Sequence, residues 1–578
     1  MSLLQRFVNR TEFSSYEDFY ENFRIEVPEN FNFGYDVVDA YAAAEPERRA
    51  LVWCDDHGGE RIISFGELKR LSDAAAQFLQ DAGIRKGDCV MLLMGGRYEF
   101  WIAMVALHKL GALAIPGSHM LKAHDLEYRY RLGDIRLVLC NDREDLREEV
   151  AAAAAAPGLP IVPKLVTLHG APKGWLALHD ALDEPGLSRL AGRFARPTGE
   201  QATRNGDPML AYFTSGTSGE PKLTMHNFVY PLGHITTARY WQNVEDGGLH
   251  YTLADTGWAK TAWGKLYGQW IAGTAIFVHD YDRFNAQRTL EVCAKYKVTT
   301  FCAPMTVYRY LAKEDLSEYD FSSIHHAAMA GEPLNAAVYQ RFGAATGLRL
   351  MEGFGQSESC VIMANFLWME PKPGSVGRGS PVFRPCLLKD DGTLAEEGET
   401  GELVLPMDRG APPGLTIGYY KNPEATTEVF RDGYYHTGDL CWRDADGYFW
   451  FVGRNDDIIK SSGYRVGPFE VESALVAHPA VLEAAVTGLP DPDRGQIVKA
   501  TVVLARGFSP SEALVKELQD FVKKETAPYK YPRRIEFVDE LPKTTSGKIQ
   551  RKEIRKRDLA RLHEAAMRAA EQSLQSGK

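Results

Sequence analysis

An apolar run, Met209-Leu210-Ala211-Tyr212-Phe213, ends abruptly in Thr214-Ser215-Gly216-Thr217-Ser218-Gly219-Glu220-Pro221-Lys222. No other stretch constrains the fold as tightly. A short continuous apolar run bounded by turn residues reads as a buried strand. The run gives way to polar turn chemistry, with hydroxyls, glycines, a proline and a lysine. Glycines let a backbone approach a ligand with no Cβ in the way. Hydroxyls and free backbone N–H groups cradle phosphate oxygens, and a lysine adds a point positive charge. The spacing is not that of a P-loop, because Pro221 stands where that motif needs its second glycine. A flexible Ser/Gly linker is the alternative, and the strand-like entry and Pro-Lys exit argue against it.

The chain around this junction alternates between helix and strand. Leu68, Leu71, Ala75, Phe78 and Leu79 recur at helical spacing in a segment closed by Gly83. Cys89 to Met94 reads as a strand, Phe100 to Leu110 as a helix, and Ala112 to Pro116 as the next strand. Further strands are expected at Thr299 to Pro304 and His326 to Ala330. This βαβα order implies an α/β fold with a parallel-rich sheet and flanking helices. Such sheets bind ligands at the carboxyl ends of their strands, where the loop at 214–222 would lie.

The 578 residues exceed one hydrophobic core, so two or more domains are expected. Near residue 455 the pattern changes to a compact α+β arrangement. It has helices at 468–478 and 511–525 and strands at 482–487, 498–504 and 534–538. We therefore expect a large domain over 1–455 and a small mobile one over 456–578. The basic C-terminal helix (Arg551, Lys552, Arg555, Lys556, Arg557) reads as a solvated face.

A net charge of −11 disfavours nucleic acid as the main partner. The eight cysteines form no C-x-x-C pair, which suggests neither a cysteine-held zinc nor a disulfide framework. Free thiols fit a reducing compartment. Met1 to Phe7 soon meets Glu12, Glu17 and Asp18, unlike a secretory signal or an acid-poor transit peptide. No apolar run is long enough for a membrane span. A cytoplasmic location is the resulting expectation.

Other motifs carry chemistry. Gly331-Glu332-Pro333 comes after an apolar strand, where a flat ring can lie against the backbone. In Glu352-Gly353-Phe354-Gly355-Gln356-Ser357-Glu358 the aromatic can stack on a purine, and a carboxylate is the ligand type that Mg²⁺ prefers. Tyr435-His436-Thr437-Gly438-Asp439 places an acid, expected on a loop, that can accept two hydrogen bonds from a ribose diol. Gly453-Arg454-Asn455-Asp456-Asp457 is turn chemistry, and Ile458-Ile459-Lys460-Ser461-Ser462-Gly463-Tyr464-Arg465 comes directly after it. Pro542-Lys543-Thr544-Thr545-Ser546-Gly547-Lys548 sets a lysine on a glycine-preceded loop, with Lys543 as its local competitor.

These motifs, in this order over most of the chain, resemble those of the AMP-forming acyl-CoA synthetases of the acyl-adenylate-forming superfamily. Ser357 stands where threonine is commoner in that family. Asp255-Thr256-Gly257-Trp258 and Thr526-Ala527-Pro528-Tyr529-Lys530-Tyr531-Pro532 look most like the medium-chain group. The resemblance implies ATP, Mg²⁺ and coenzyme A as cosubstrates and cofactor, and a carboxylic acid as substrate. It implies that 214–222, 331–333 and 352–357 hold the nucleotide, Glu358 the magnesium, and Asp439 and Arg454 the ribose. Asp456 would be the pivot between domains, and Lys548 the residue that catalyses adenylation. Ser462, Gly463 and Tyr464 would line the pantetheine tunnel, and Arg465 would meet phosphate. Arg494, Lys523 and Tyr531 are candidates for further CoA contacts.

The implied reaction forms an acyl-adenylate and pyrophosphate. The small domain then turns, and the CoA thiol displaces AMP. Acetate-specific relatives carry a tryptophan where this chain has Gly355, so an acid larger than acetate is expected: medium-chain, branched or aromatic. Trp258 would form a wall of the acyl pocket. Alternatives are a ligase that loads a carrier protein and a non-catalytic acyl-nucleotide-binding protein.

Overall fold

A computed structural model describes residues 2–214, 221–331, 336–461, 464–543 and 549–576. The chain is α/β, with a large N-terminal part and a smaller C-terminal one. By packing it divides into two compact units, Met1–Pro385 with Leu405–Tyr435, and Cys386–Val404 with His436–Lys578.

The first unit holds two sheets. One runs, edge to edge, Gly418–Tyr419, Lys222–Asn227, Pro208–Thr214, Leu113–Pro116, Cys89–Leu93, Ile135–Cys140, Lys164–Thr167 and Leu176–Ala177. From Pro208–Thr214 onward the neighbours are parallel. Lys222–Asn227 returns antiparallel along Pro208–Thr214, in the register Tyr212↔Thr224 and Thr214↔Lys222. The strands that flank the organising junction therefore pair antiparallel at the side of a parallel sheet. Met209, Leu210 and Ala211 are fully buried, as the unbroken apolar run requires.

The second sheet has a parallel centre of Leu350–Phe354, His326–Ala330, Thr300–Ala303, Leu249–Thr252, Ala275–Asp280 and Arg49–Asp55, with antiparallel strands at both edges. His326–Ala330 and Leu350–Phe354 lie side by side, Ala330 opposite Gly353. The carboxyl ends of these two parallel strands, Ala330 and Phe354, therefore lie at the same end of the sheet.

Local chemistry explains the helix boundaries. The Ser64 hydroxyl accepts from the Glu67 amide at the start of Phe65–Asp81, satisfying a donor that the first turn leaves free. Helix Glu99–Leu110 is buried along its whole length and stops at Gly111, whose φ of 75° a side chain would resist. Its buried Lys109 is neutralised by Asp39 and Asp73, at 2.7 and 2.6 Å.

In the second unit, Tyr464–Val466, Ile459–Ser461, Gly495–Leu504 and Val481–Asp491 form a sheet, with Arg534–Phe537 parallel to Gly495–Leu504. Helices Pro468–Ala477 and Glu512–Glu525 share its apolar core through Val471, Leu475, Leu514 and Leu518. Two details differ from the sequence-based expectation. Asp439 sits within the strand Tyr434–Arg443, not on a loop; Gly438, at φ 72°, bends the strand just before it. The C-terminal helix, Arg551–Ser576, is not basic only towards solvent. Arg551 makes a paired contact with buried Glu472, and Arg555 reaches Asp457 at 2.6 Å.

Candidate active site

Thr214 and Lys222 face each other across the antiparallel pair; Ser215 to Glu220 lie outside the described residues. The Pro221 carbonyl accepts from the Tyr128 hydroxyl at 3.0 Å, which fixes the exit of the loop. Lys222 Nζ lies 4.7 Å from the centre of the Tyr419 ring. The Tyr419 hydroxyl donates to Glu358 Oε1 at 3.0 Å. One tyrosine thus joins the hairpin lysine of the first sheet to the terminal acid of the motif beyond the second.

Backbone contacts hold this junction. The Thr416 amide donates to the Glu358 carbonyl at 2.7 Å, and the His226 ring nitrogen Nε2 donates to the Ser357 carbonyl at 2.9 Å. His226 is buried, which lowers its pKa to about 3 and keeps the imidazole neutral. The Tyr435 hydroxyl donates to Gln356 Oε1 at 3.2 Å.

Two tryptophans shape the strand and loop from Met351 to Ser359. Trp241 donates its indole N–H to the Met351 carbonyl at 3.0 Å, and Trp263 donates to the Ser359 carbonyl at 3.1 Å. Each ring fills the space over a glycine. A Cβ on Gly353 would stand 2.5 Å from Trp241, and one on Gly355 would stand 2.5 Å from Trp263. The two indoles meet edge to face at 6.1 Å. Glu352 is buried, Phe354 is half-buried, and Gly331, at φ 98°, ends its strand in the left-handed region. Glu332 and Pro333 lie outside the described residues.

Trp258 is half-buried and opens a short helix, Ala259–Gly264. Its loop presses on another backbone: a Cβ on Gly257 would be 2.2 Å from the Ser118 amide nitrogen. Asp255 Oδ1 accepts from the Gly257 amide at 2.7 Å and sets the turn.

In the second unit, Asp439 is buried and its Oδ1 accepts from Arg454 Nη1 at 3.2 Å. The same nitrogen donates to the Thr437 carbonyl at 2.9 Å, so Arg454 is oriented by two groups of the strand it faces. Asp456 Oδ1 lies 3.7 Å from Arg454 Nε. Tyr464 is exposed and stacks on Tyr529, with ring centres 4.2 Å apart. Arg494 adjoins Gly495, which pairs with Ser461 at the end of that hairpin. Tyr531 is sandwiched by charge, with Lys523 4.4 Å and Arg533 4.9 Å from its ring centre. Ser462, Gly463 and Lys548 lie outside the described residues, and Arg465 is in the strand Tyr464–Val466. Lys543, the competitor of Lys548, is paired with Glu483 at 2.7 Å and forms an antiparallel bridge with Ile549.

The sequence gives no sign that Tyr419, His226, Trp241, Trp263 and Arg533 belong to this set. All lie outside the glycine-rich motifs, and most are plain aromatics in otherwise ordinary segments. Only tertiary pairing reveals them.

Known proteins resemble this chain over most of its length. Residues 38–420 match the AMP-binding enzyme family, and 470–548 match the AMP-binding enzyme C-terminal domain. Acyl-coenzyme A synthetase ACSM3 of Mus musculus is 39% identical over 94% of both chains. ACSM5 of Homo sapiens is 40% identical over 92% of this chain and 91% of its own. Among solved structures, the anthranilate CoA ligase AuaEII in complex with anthranoyl-AMP superposes with a TM-score of 0.81 at 29% identity, covering 93% of this chain and 99% of its own. Both curated relatives are named mitochondrial, which overturns the expectation of a cytoplasmic location. Free thiols report reducing conditions and do not name a compartment. Among the described residues no helix is long and apolar enough to cross a membrane. The chain belongs to the AMP-binding enzyme family and, within it, to the AMP-forming acyl-CoA synthetases, ligases that join an acid to a thiol.

Proposed function

We propose that this synthetase activates a carboxylic acid larger than acetate, of medium-chain, branched or aromatic type, and transfers it to free coenzyme A. The observation that carries the size assignment is Gly355. It stands where acetate-specific relatives carry tryptophan; the Trp263 indole occupies the space over it, so the acyl pocket would lie beyond that indole, with Trp258 as a further wall. The ligand named for the anthranilate ligase structure, an aromatic acyl-adenylate, supports a wide pocket in this architecture.

In the proposed chemistry the hairpin at 214–222 receives the ATP phosphates, with Lys222 held over Tyr419. The carboxylate of the acid attacks the α-phosphorus, the bond to pyrophosphate breaks, and Lys548 meets the charge that develops. Glu358 fits a magnesium site: it is a hard oxygen donor whose orientation is set by the Tyr419 hydroxyl. Bound there, Mg²⁺ would neutralise phosphate charge. Asp439 would accept both ribose hydroxyls, with Arg454 placed beside it. The segment 456–578 would then pivot at Asp456, exchanging Lys548 for the surface at Ser462 to Arg465, along which pantetheine reaches the acyl carbon. Arg494, Lys523 and Tyr531 would engage the nucleotide end of CoA.

The test is AMP release across acids from acetate through medium-chain to aromatic ones, with free CoA and with phosphopantetheinyl carriers as acceptors. Highest kcat/KM on a larger acid with free CoA is expected. Preference for acetate, or for a carrier, would overturn the assignment.

A further inference from the structure

Among the described residues, a cluster of metal-ligating type lies outside the motifs above: Glu99, His169 and His179. Glu99 opens the buried helix Glu99–Leu110, His179 opens the short helix His179–Leu182, and His169 lies just past the strand Lys164–Thr167. One ligand atom from each lies within 4.8 Å of the other two. Glu99 Oε1 is 2.9 Å from His179 Nε2, and the two imidazoles lie face to face with centres 3.8 Å apart. The Glu99 carboxylate is fully buried, whereas His169 is half exposed, so the cluster opens to solvent on one side.

The surroundings match a cation better than a plain ion pair. Asp142 accepts at Oδ2 from His169 Nδ1 at 2.8 Å, and its Oδ1 takes the Thr167 hydroxyl and the Leu168 and His169 amides. With Nδ1 donating, the lone pair of His169 is on Nε2. A carboxylate behind a histidine is the outer-sphere arrangement that orients histidine ligands and raises their basicity. Arg97 lies 3.2 Å from Glu99 and 3.7 Å from Asp280, so the buried carboxylate of Glu99 faces a cationic group as well as His179.

We propose that Glu99, His169 and His179 bind one zinc-class divalent cation. Two imidazoles and one carboxylate with a solvent-facing fourth position form a ligand set suited to Zn²⁺ and poorly suited to Mg²⁺ or Ca²⁺. Zinc ligands stand about 3.3 Å apart around bonds of about 2.0–2.1 Å, so small ring rotations out of the stack complete the site. With the ion on Nε2, His179 keeps its ring proton on Nδ1 and stays a neutral ligand.

The full-length protein, stripped with chelator and dialysed, is titrated with Zn²⁺ alone by calorimetry, and retained zinc is counted after gel filtration. One equivalent is expected; His169→Ala, at an exposed position, and His179→Gln should each weaken binding at least tenfold. Mg²⁺ should not compete. Thermal melting of both variants without zinc checks that they fold. Absence of stoichiometric zinc in the parent protein, or equal zinc in the folded variants, would overturn the proposal and leave the histidine stack a packing contact.

Discussion

The Trp263 indole lies against Gly355 so closely that a Cβ there would sit 2.5 Å from its Cη2 atom, and 2.5 Å from the Cys360 carbonyl oxygen on the other side. Gly355 is therefore a packing requirement as well as a candidate pocket residue. Gly355→Ala should cost about 1–3 kcal/mol by overpacking, read as a lower melting temperature. Gly355→Trp alone should collide with the indole already present. Opening Trp263 to alanine alongside it supplies the space, and the double variant should shift preference towards acetate or propionate. Unchanged acid preference in a folded double variant would remove Gly355 from the acyl pocket.

Glu358 and Tyr419 should act together. Glu358→Gln removes the proposed magnesium ligand, and ATP–pyrophosphate exchange should fall about 100-fold, a loss of about 2.7 kcal/mol of charge stabilisation. Tyr419→Phe deletes one hydrogen bond to a carboxylate, and about a tenfold loss is expected. Its rate should recover in part at higher Mg²⁺ if orientation of Glu358 is what the hydroxyl supplies. Dependence on Mg²⁺ concentration, measured for both variants, checks this.

Asp439→Asn should raise the KM for ATP about 10- to 100-fold with a smaller change in kcat, because ribose is bound in ground and transition state alike. A variant that loses kcat and keeps its KM would place Asp439 elsewhere in the cycle.

Lys548→Ala should separate the half-reactions. Acyl-adenylate formation should fall steeply, while thioester formation from supplied acyl-adenylate persists. Equal loss of both would reject alternation about Asp456.

Stability should fall on acidification. Burial lowers the pKa of His108, His226 and His250 to about 3 and that of His326 to about 4, from 6.5. Between these values the unfolded chain binds protons that the native one does not, so stability is present above pH 6.5 and is lost as pH falls towards 3. Asp280 opposes this: burial raises its pKa to about 6, so the native state holds an extra proton between 3.8 and 6. Four imidazoles outweigh one carboxyl. The melting temperature should drop from pH 7 to pH 4, and His108→Gln should flatten the slope by about one proton. A melting temperature independent of pH over this range would contradict the burial of these rings.

Much of the scaffold was legible in the chain itself, for a local reason. The helix expected to close at Gly83, the strand from Cys89 and the helix ending before Gly111 appear as Phe65–Asp81, Cys89–Leu93 and Glu99–Leu110. The α+β pattern after residue 455 appears as Pro468–Ala477, Val481–Asp491, Gly495–Leu504, Glu512–Glu525 and Arg534–Phe537. Hydrophobic period and turn residues are short-range signals, so they survive in sequence. The family was legible too, because its motifs are short runs of particular residue types that recur in a fixed order along the chain. Which side chains cross from one sheet to the other was not. Tyr419 beside Lys222 and Glu358, Trp263 over Gly355 and the His169–His179 stack join residues that are not neighbours in the chain. Only parallel strand order and sheet packing decide such neighbours, because a contact at long sequence separation leaves no periodicity in either segment that makes it.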